Sequence, residues 1–214
     1  MTQLLDSYDG TVNVDTFIEA QHPSPSNDIS AWGQTFRLIS DYLLTSVKLI
    51  VRRTSSSSTG TFKVYLYAHL GTYGSSGIPT GLPLATSTTS INWDDLPFNA
   101  WTFIEFEFDG TYTLQANTAY CIVVYSLDGV FDGSRWCRIG SSSLKGHGGN
   151  ACGYVNGAWS YSTSRDVFFY VYGEEVSSII EIKGMKGEGT YGWDSTNEVH
   201  AKTKVDATGI LQTS

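Results

Sequence analysis

The sequence predicts an all-β protein, an antiparallel β-sandwich, and three observations favour this fold class. Apolar and polar side chains alternate in several short segments, aromatic residues make up 14% of the chain, and the intervening segments are rich in Gly and Ser. Alternation with a period of two puts one set of side chains on each face of a sheet. Aromatic and β-branched residues also favour strands. No segment of ten residues or more carries a convincing helical pattern.

Five segments show the alternation clearly, and each is predicted to be a strand. The first three carry mostly charge or Tyr on one face, whereas the last two are apolar or aromatic on both faces, as is common in central strands. The expected inward-facing residues are Val47, Leu49 and Val51; Phe62, Val64, Leu66 and Ala68; Ile104, Phe106 and Phe108; Tyr120, Ile122 and Val124; and Val167, Phe169 and Val171. This pattern is typical of two sheets packed face to face.

Turn-forming residues separate these strands. Residues 55–60 are rich in Ser and predict a flexible hairpin loop. Residues 71–84 contain four Gly and two Pro, and residues 140–153 contain five Gly. We therefore expect both of these segments to be long surface loops, which are often functional.

The chain divides into three parts. With 214 residues it is long enough for one sizeable domain with its own core. Residues 1–29 are expected to form an N-terminal lead, 30–173 the sandwich, and 174–214 a β-rich extension. A segment of about 40 residues rarely folds alone, so the extension is predicted to pair with another chain or with the sandwich.

Charge and hydropathy exclude several classes of protein. There are 13 Lys and Arg against 21 Asp and Glu, which gives a net charge of −8 and argues against binding to nucleic acid or to an anionic membrane. No apolar run approaches the roughly 20 residues that a membrane-spanning helix needs. The first residues also lack the basic and apolar regions of a signal peptide, so none is expected. A coiled coil and a disordered acidic tail do not fit the composition either.

Three cysteines are present, and the odd number argues against a disulfide framework. Cys121 lies in a strongly apolar strand and is predicted to be a small core residue. Cys137 and Cys152 could approach each other across a hairpin, and both a bridge and two free thiols remain open. The spacing of Cys and His does not predict a zinc site.

A series of short motifs runs in a fixed order through the predicted sandwich. It comprises GQTF at 33–36, LTSV at 44–47, GTFKVYLYA at 60–68, GIPTG at 77–81, LATS at 84–87, WTF at 101–103, LQANTAY at 114–120 and DVFFYVYG at 166–173. This series resembles a jelly-roll module, similar to carbohydrate-binding modules, of bacterial surface proteins and phage virion proteins. The segments YGWDSTN at 191–197 and VDATGILQ at 205–212 resemble C-terminal segments of phage structural proteins.

Both resemblances imply a non-catalytic structural or binding role. We expect a phage-type virion component on the surface, as a decoration or in a fibre, that is made in the host cytoplasm. Its expected partners are other virion or surface proteins and further copies of the chain, with host or environmental glycans as ligands of the jelly roll. No cofactor is expected apart from a structural calcium ion, which the resembling modules often carry. Its candidate oxygen ligands are Asp128, Asp132 and Asp166.

Aromatic side chains are the predicted ligand-binding residues. Sugars present C–H faces that pack on flat rings, while polar neighbours bond the hydroxyl groups. Tyr170 and Tyr172 would join the same face as the candidates if the strands are neighbours. A second packed layer or a subunit interface would explain the same residues. The candidates are Tyr65, Tyr67, Tyr125, Trp136, Trp159 and Tyr161.

An acidic strand offers a different chemistry. Alternation puts Glu105, Glu107 and Asp109 on one face, in steps of about 6–7 Å. Paired carboxylates at such spacing can hydrolyse glycosides, and the string resembles the catalytic strand of jelly-roll glucanases. The competing interpretation is a solvated strand face, and we assign no catalytic residue. The first alternative function is a carbohydrate-binding module of a surface protein. The second, ranked below it, is a jelly-roll glycosidase.

Overall fold

The computed structural model describes residues 1–9, 16–24, 27–54, 61–126, 137–155, 157–176, 190–194, 199–205 and 211–212. The chain forms two compact units, Met1–Val176 and Ser177–Ser214. The larger unit consists of two antiparallel sheets packed against each other. The fold class predicted from the sequence is therefore confirmed.

The first sheet is organised around its longest strand, β4. Strands β15 and β11 pair along one side of β4, and β8 and β9 pair along the other. Strand β1 pairs with β15, and β14 pairs with β11. The bounds are β1 (Gln3–Tyr8), β4 (Tyr42–Arg53), β8 (Thr102–Glu107), β9 (Thr113–Leu114), β11 (Cys137–Ser142), β14 (Asp166–Val167) and β15 (Phe169–Glu175).

The second sheet has the strand order β13-β12-β3-β10-β5-β6, with β7 also paired to β5. Strand β2 (Thr16–Ser24) pairs with β11 and with β3, so it connects the two sheets. The bounds are β3 (Asn27–Arg37), β5 (Thr61–Leu70), β6 (Ile78–Thr86), β7 (Ile91–Asn92), β10 (Ala119–Ser126), β12 (Ala151–Val155) and β13 (Ala158–Ser162).

The core lies between the two sheets and follows the alternation of the sequence. Phe62 stacks on Trp93, which sits in a single 3₁₀ turn, with ring centroids 4.4 Å apart, and it also contacts Phe106 at 5.5 Å. The three rings form an aromatic cluster in the core. Because aromatic side chains bury a large apolar area, this cluster contributes strongly to the packing of the two sheets. The predicted inward-facing residues of the core cluster include Val47, Leu49, Val51, Phe62, Val64, Leu66, Phe106, Phe108, Tyr120, Ile122, Val124, Val167, Phe169 and Val171.

Two segments predicted as long loops are partly strand. Strand β6 occupies much of 71–84 and pairs with β5, despite Pro79 and Pro83. Its tolerance of proline is expected because β6 is the edge of its sheet. Within 140–153, strands β11 and β12 leave a shorter loop at 143–150. The predicted hairpin loop at 55–60 lies outside the described residues.

The ends of the chain also contribute strands. Strands β1 and β2 fall within the predicted lead of residues 1–29 and pair with strands of the sandwich. The smaller unit contains an antiparallel sheet of β16 (Thr190–Asp194), β17 (Val199–Val205) and β18 (Leu211–Gln212). Across the described segments, no helix has the length and apolarity needed to span a membrane.

Candidate functional site

The outer face of the second sheet collects aromatic side chains from four strands. Tyr65 and Tyr67 face outward on β5 because Phe62, Val64 and Leu66 face the core. Cross-strand register then places the remaining outward residues beside them. One row across the sheet runs through Tyr125, Ala31, Tyr154 and Trp159.

The centre of this face is a floor of small, buried residues. Ala31, Cys121 and Val123 are almost fully buried and form a cluster of their own, apart from the main core. Gly33 lies between them, where a Cβ atom would come within 2.1 Å of the Ile122 carbonyl oxygen. The small floor leaves space that the larger rings around it enclose.

Five rings form a connected series around this floor. Tyr125 lies edge-on to Tyr65 at 6.3 Å between centroids, and Tyr65 contacts Tyr67 at 6.4 Å. Trp159 lies edge-on to Tyr67 at 6.1 Å and to Tyr154 at 5.2 Å. Edge-to-face pairs of this kind stabilise one another by about 0.5–1.5 kcal/mol each, so the rings hold a defined arrangement.

The face is concave. In a flat sheet β6 would lie about 24 Å from β13, since five strand spacings of about 4.8 Å separate them. Cα atoms of β6 nevertheless lie within 8 Å of Cα atoms of β12 and β13. The result is a groove of about 260 Å³, which we call the aromatic groove. It is lined by Ala31, Tyr67, Gly81, Val123, Tyr125, Tyr154 and Trp159.

The described lining of the aromatic groove is uncharged at neutral pH. Burial raises the pKa of the Tyr65 hydroxyl, and the nearby Tyr67 and Tyr125 raise it further. Burial likewise raises the pKa of Tyr67, with a smaller effect from Tyr125. Because a tyrosine titrates near pH 10 even without such shifts, these hydroxyls stay protonated and can both donate and accept hydrogen bonds.

The structure brings together four of the six predicted binding residues, namely Tyr65, Tyr67, Tyr125 and Trp159. Tyr161 lies on β13, opposite Cys152, and is exposed beside the groove. Trp136 falls outside the described residues. The prediction missed Tyr154, although it alternates with Cys152 and stands opposite Trp159 in a hairpin, a pairing that a search for hairpins could have found.

Tyr170 and Tyr172 would have joined this face if their strand were a neighbour of β5, and it is not. Both lie on β15, in the first sheet, where Tyr170 contacts Phe103 and Lys48 lies over the ring of Tyr172. Alternation fixes which side of a strand a residue occupies, but it does not specify which sheet the strand joins.

The acidic strand lies on the outside of the first sheet. Glu105 accepts a hydrogen bond from Ser46 at 2.7 Å and pairs with Lys48 at 3.2 Å. The Ser46 hydrogen bond is the main cause of the lowered pKa of Glu105. Glu107 is exposed, and Asp109 lies beyond the strand, where hydrogen bonds from Thr111 lower its pKa. A general acid for glycoside hydrolysis needs a raised pKa, whereas the pKa values of Glu105 and Asp109 are lowered.

A second polar cluster occupies one end of the sandwich. The carboxylate of Asp166 is fully buried and accepts hydrogen bonds from Gln34 Nε2, Gly146 N and His147 N at 2.8–2.9 Å. His147 Nε2 lies 3.2 Å from Asp6. Asn150 accepts a hydrogen bond from the Gly77 N–H through Oδ1 and donates one to the Gly77 carbonyl oxygen through Nδ2. These contacts fasten loop 143–150 to β1, β3 and the start of β6.

Asp166 is one of the three candidate calcium ligands. Both of its carboxylate oxygens accept hydrogen bonds from protein groups. The other two candidates, Asp128 and Asp132, lie outside the described residues. In the part of the chain that the structure describes, no three His, Cys, Asp or Glu side chains are placed to hold a metal ion together.

Two of the cysteines meet beneath the aromatic rings. Cys121 and Cys152 are buried free thiols on the outer face of the second sheet, on strands that flank β3. Burial strongly raises the pKa of Cys121, and a hydrogen bond with Cys152 adds to this. The bridge between Cys137 and Cys152 that the sequence left open is therefore absent, because Cys152 is a free thiol.

No protein-family model and no curated protein matches the chain. Among solved structures, it is similar to the cysteine protease and lectin-like domains of Cwp84, a surface layer associated protein of Clostridium difficile. The TM-score is 0.44 and the sequence identity 12%, over 72% of this chain and 37% of that one. At this level of similarity, nothing about activity or ligand carries over to the present chain.

Proposed function

We propose that this chain is a non-catalytic structural protein of a phage-type virion surface whose β-sandwich binds glycans in the aromatic groove. The observation that carries the binding function is the connected series of five rings around a small, uncharged floor. Glycan binding by a module of another kind of surface protein is the alternative, and it would use the same groove.

The chemistry of the groove matches that of a sugar. The C–H faces of a pyranose can pack on the rings of Tyr67 and Trp159, and tyrosine hydroxyls can bond the sugar hydroxyl groups. A peptide in extended form would need free backbone partners, whereas the floor strands β3 and β10 already pair on both sides. A small, polar-rimmed ligand therefore fits better than an added strand.

The virion role rests on other features. The ordered motifs of residues 33–173 and the C-terminal segments resemble those of phage structural proteins. The smaller unit, Ser177–Ser214, contains three short strands and is below the size that usually folds alone. A partner chain or further copies would complete it, which supports an assembly function for this end of the chain.

The binding function is tested with a glycan array followed by calorimetry on the best ligand. Trp159→Ala is expected to weaken binding about tenfold, because one aromatic contact is worth up to about 1.5 kcal/mol. Tyr172→Ala is the matched control, since Tyr172 lies on the other sheet. The proposal fails if the protein binds no glycan, or if Trp159→Ala and Tyr172→Ala behave alike.

A further inference from the structure

Strand β6 carries an insertion beside the aromatic groove. Thr86 and Ala85 pair with Tyr65 and Leu66, and pairing resumes only at Thr80 with Ala68. The four residues Gly81–Leu84 therefore stand opposite the single residue Tyr67. We call this insertion the β6 bulge. An extra length of chain on one strand has no place in the hydrogen-bonded ladder and must leave it.

The β6 bulge forms part of the groove wall. Gly81 lines the groove together with Trp159, which lies on the opposite edge strand of the sheet. Gly81 has a φ of +74°, a conformation that favours glycine, and no atom lies within 4 Å of the position that a Cβ would take. The bulge thus closes a face that would otherwise be an open platform.

The tip of the β6 bulge is apolar and exposed. Leu82 is 85% exposed, and Leu84, on the far side of the exposed Pro83, is 37% exposed. Leucine side chains can contribute to recognition only by burying apolar surface, since they have no hydrogen-bonding atoms. A ligand that reaches both the rings and this tip would gain affinity from an apolar group that packs on the two leucines.

We infer that the β6 bulge determines specificity, and that the aromatic groove selects sugars bearing an acetyl substituent, whose methyl group packs on Leu82 and Leu84. This inference rests on the proposed glycan-binding function. The uncharged lining agrees with an acetamido or acetyl ester group, which is neutral and offers a carbonyl oxygen to a tyrosine hydroxyl.

The test uses an array of matched pairs: glucose with N-acetylglucosamine oligomers, galactose with N-acetylgalactosamine oligomers, and O-acetylated polysaccharides with their de-esterified forms. The full chain is expected to favour the acetylated member of a pair by roughly fivefold, the value of burying about one methyl group. Leu82→Ser with Leu84→Ser should reduce this ratio to about one, because the apolar surface that buries the methyl group is removed.

Two controls separate the possible outcomes. Leu144→Ser removes a leucine that is 72% exposed in loop 143–150 and should change nothing. Gly81→Asn should weaken all binding by filling the groove, whereas Gly157→Asn, with a φ of +80° and open space around it, should not. Equal binding within the pairs, or a preference that survives the double leucine substitution, overturns the inference alone. Absence of binding to every glycan overturns the proposed function and the inference with it.

Discussion

At the scale of single residues, Asp166 shows how hydrogen bonds hold a buried carboxylate in place. Its two oxygen atoms accept three hydrogen bonds from a side chain and two backbone groups. Hydrogen bonds to an ionised group are stronger than neutral ones, so they offset the cost of removing the carboxylate from water. The same three bonds position loop 143–150.

Asp166→Asn keeps the shape of this side chain but replaces one acceptor oxygen with an amide that faces other donors. We expect the free energy of unfolding to fall by about 3 kcal/mol. Urea unfolding measures this. Asp94→Asn is the control, because Asp94 makes an ion pair with Arg53 at 2.9 Å with its own side chain largely exposed, and its loss should cost less than about 1 kcal/mol. Equal effects of the two substitutions would contradict the role given to Asp166.

His69 makes stability depend on pH. Its Nε2 atom is buried with no hydrogen-bond partner among the described residues, and burial lowers its pKa from 6.5. The unfolded chain therefore takes up the proton first as the pH falls. Above the unfolded pKa of about 6.5, the imidazole is neutral in both states and His69 does not change the free energy of unfolding. Below that pH, the unfolded chain binds the proton more readily, so the free energy of unfolding falls until the pH has passed the lowered native pKa.

Comparing unfolding at about pH 7.5 and about pH 5 tests this dependence. The natural chain should lose more stability over that interval than His69→Gln, which stays neutral throughout. Other titrating groups act equally in both proteins, so the difference isolates His69. If the two proteins lose the same stability, the buried imidazole is not the cause.

At the scale of elements, the alternation of side chains predicted the strands well, because a half-buried strand repeats every two residues. Tyr65 and Tyr67 were assigned to the outer face for the same reason. Alternation could not reveal that β15 and β5 belong to different sheets, since strand order depends on distant pairing. It also could not reveal β6, whose prolines and glycines are typical of a loop.

Strand β1 illustrates an element whose pairing the sequence did not predict. It covers the edge of β15, and Tyr8 stacks on Phe168 with centroids 5.6 Å apart. Deleting residues 1–8 should lower stability by about 3 kcal/mol or more, because apolar contacts and the contact between Asp6 and His147 are lost together. The bare edge of β15 should also promote association of the sandwiches.

Thermal unfolding and size-exclusion chromatography measure these two effects. Deleting only residues 1–2, which precede β1, is the control and should change neither. A shortened chain without residues 1–8 that melts and elutes like the complete one would show that β1 adds nothing to the sandwich.

At the scale of the whole molecule, the two compact units predict separate functions, with ligand binding in the larger unit and assembly in the smaller one. A chain ending at Val176 retains every described strand of the sandwich and all residues that line the aromatic groove. It should therefore fold and bind glycan with the affinity of a single aromatic groove. If the proposed assembly role is right, the full chain should be oligomeric, since a unit of this size rarely buries its strands alone.

Sedimentation of both proteins, with glycan affinity measured in parallel, checks this division. We expect a monomer for residues 1–176 and a larger assembly for the full chain. A monomeric full chain would remove the support for an assembly role of Ser177–Ser214, and loss of binding in the shorter chain would show that the groove depends on the C-terminal unit.

The paired thiols beneath the rings have a practical consequence. Cys121 is inert while the sheet is closed, because burial keeps its sulfur protonated and out of reach of reagents. The rate of alkylation at Cys121, located by peptide mass spectrometry, would therefore measure how often the curved sheet opens transiently. If the groove binds a sugar as proposed, the bound sugar should slow this alkylation in proportion to its occupancy, so the thiol would report on ligand binding from inside the sheet.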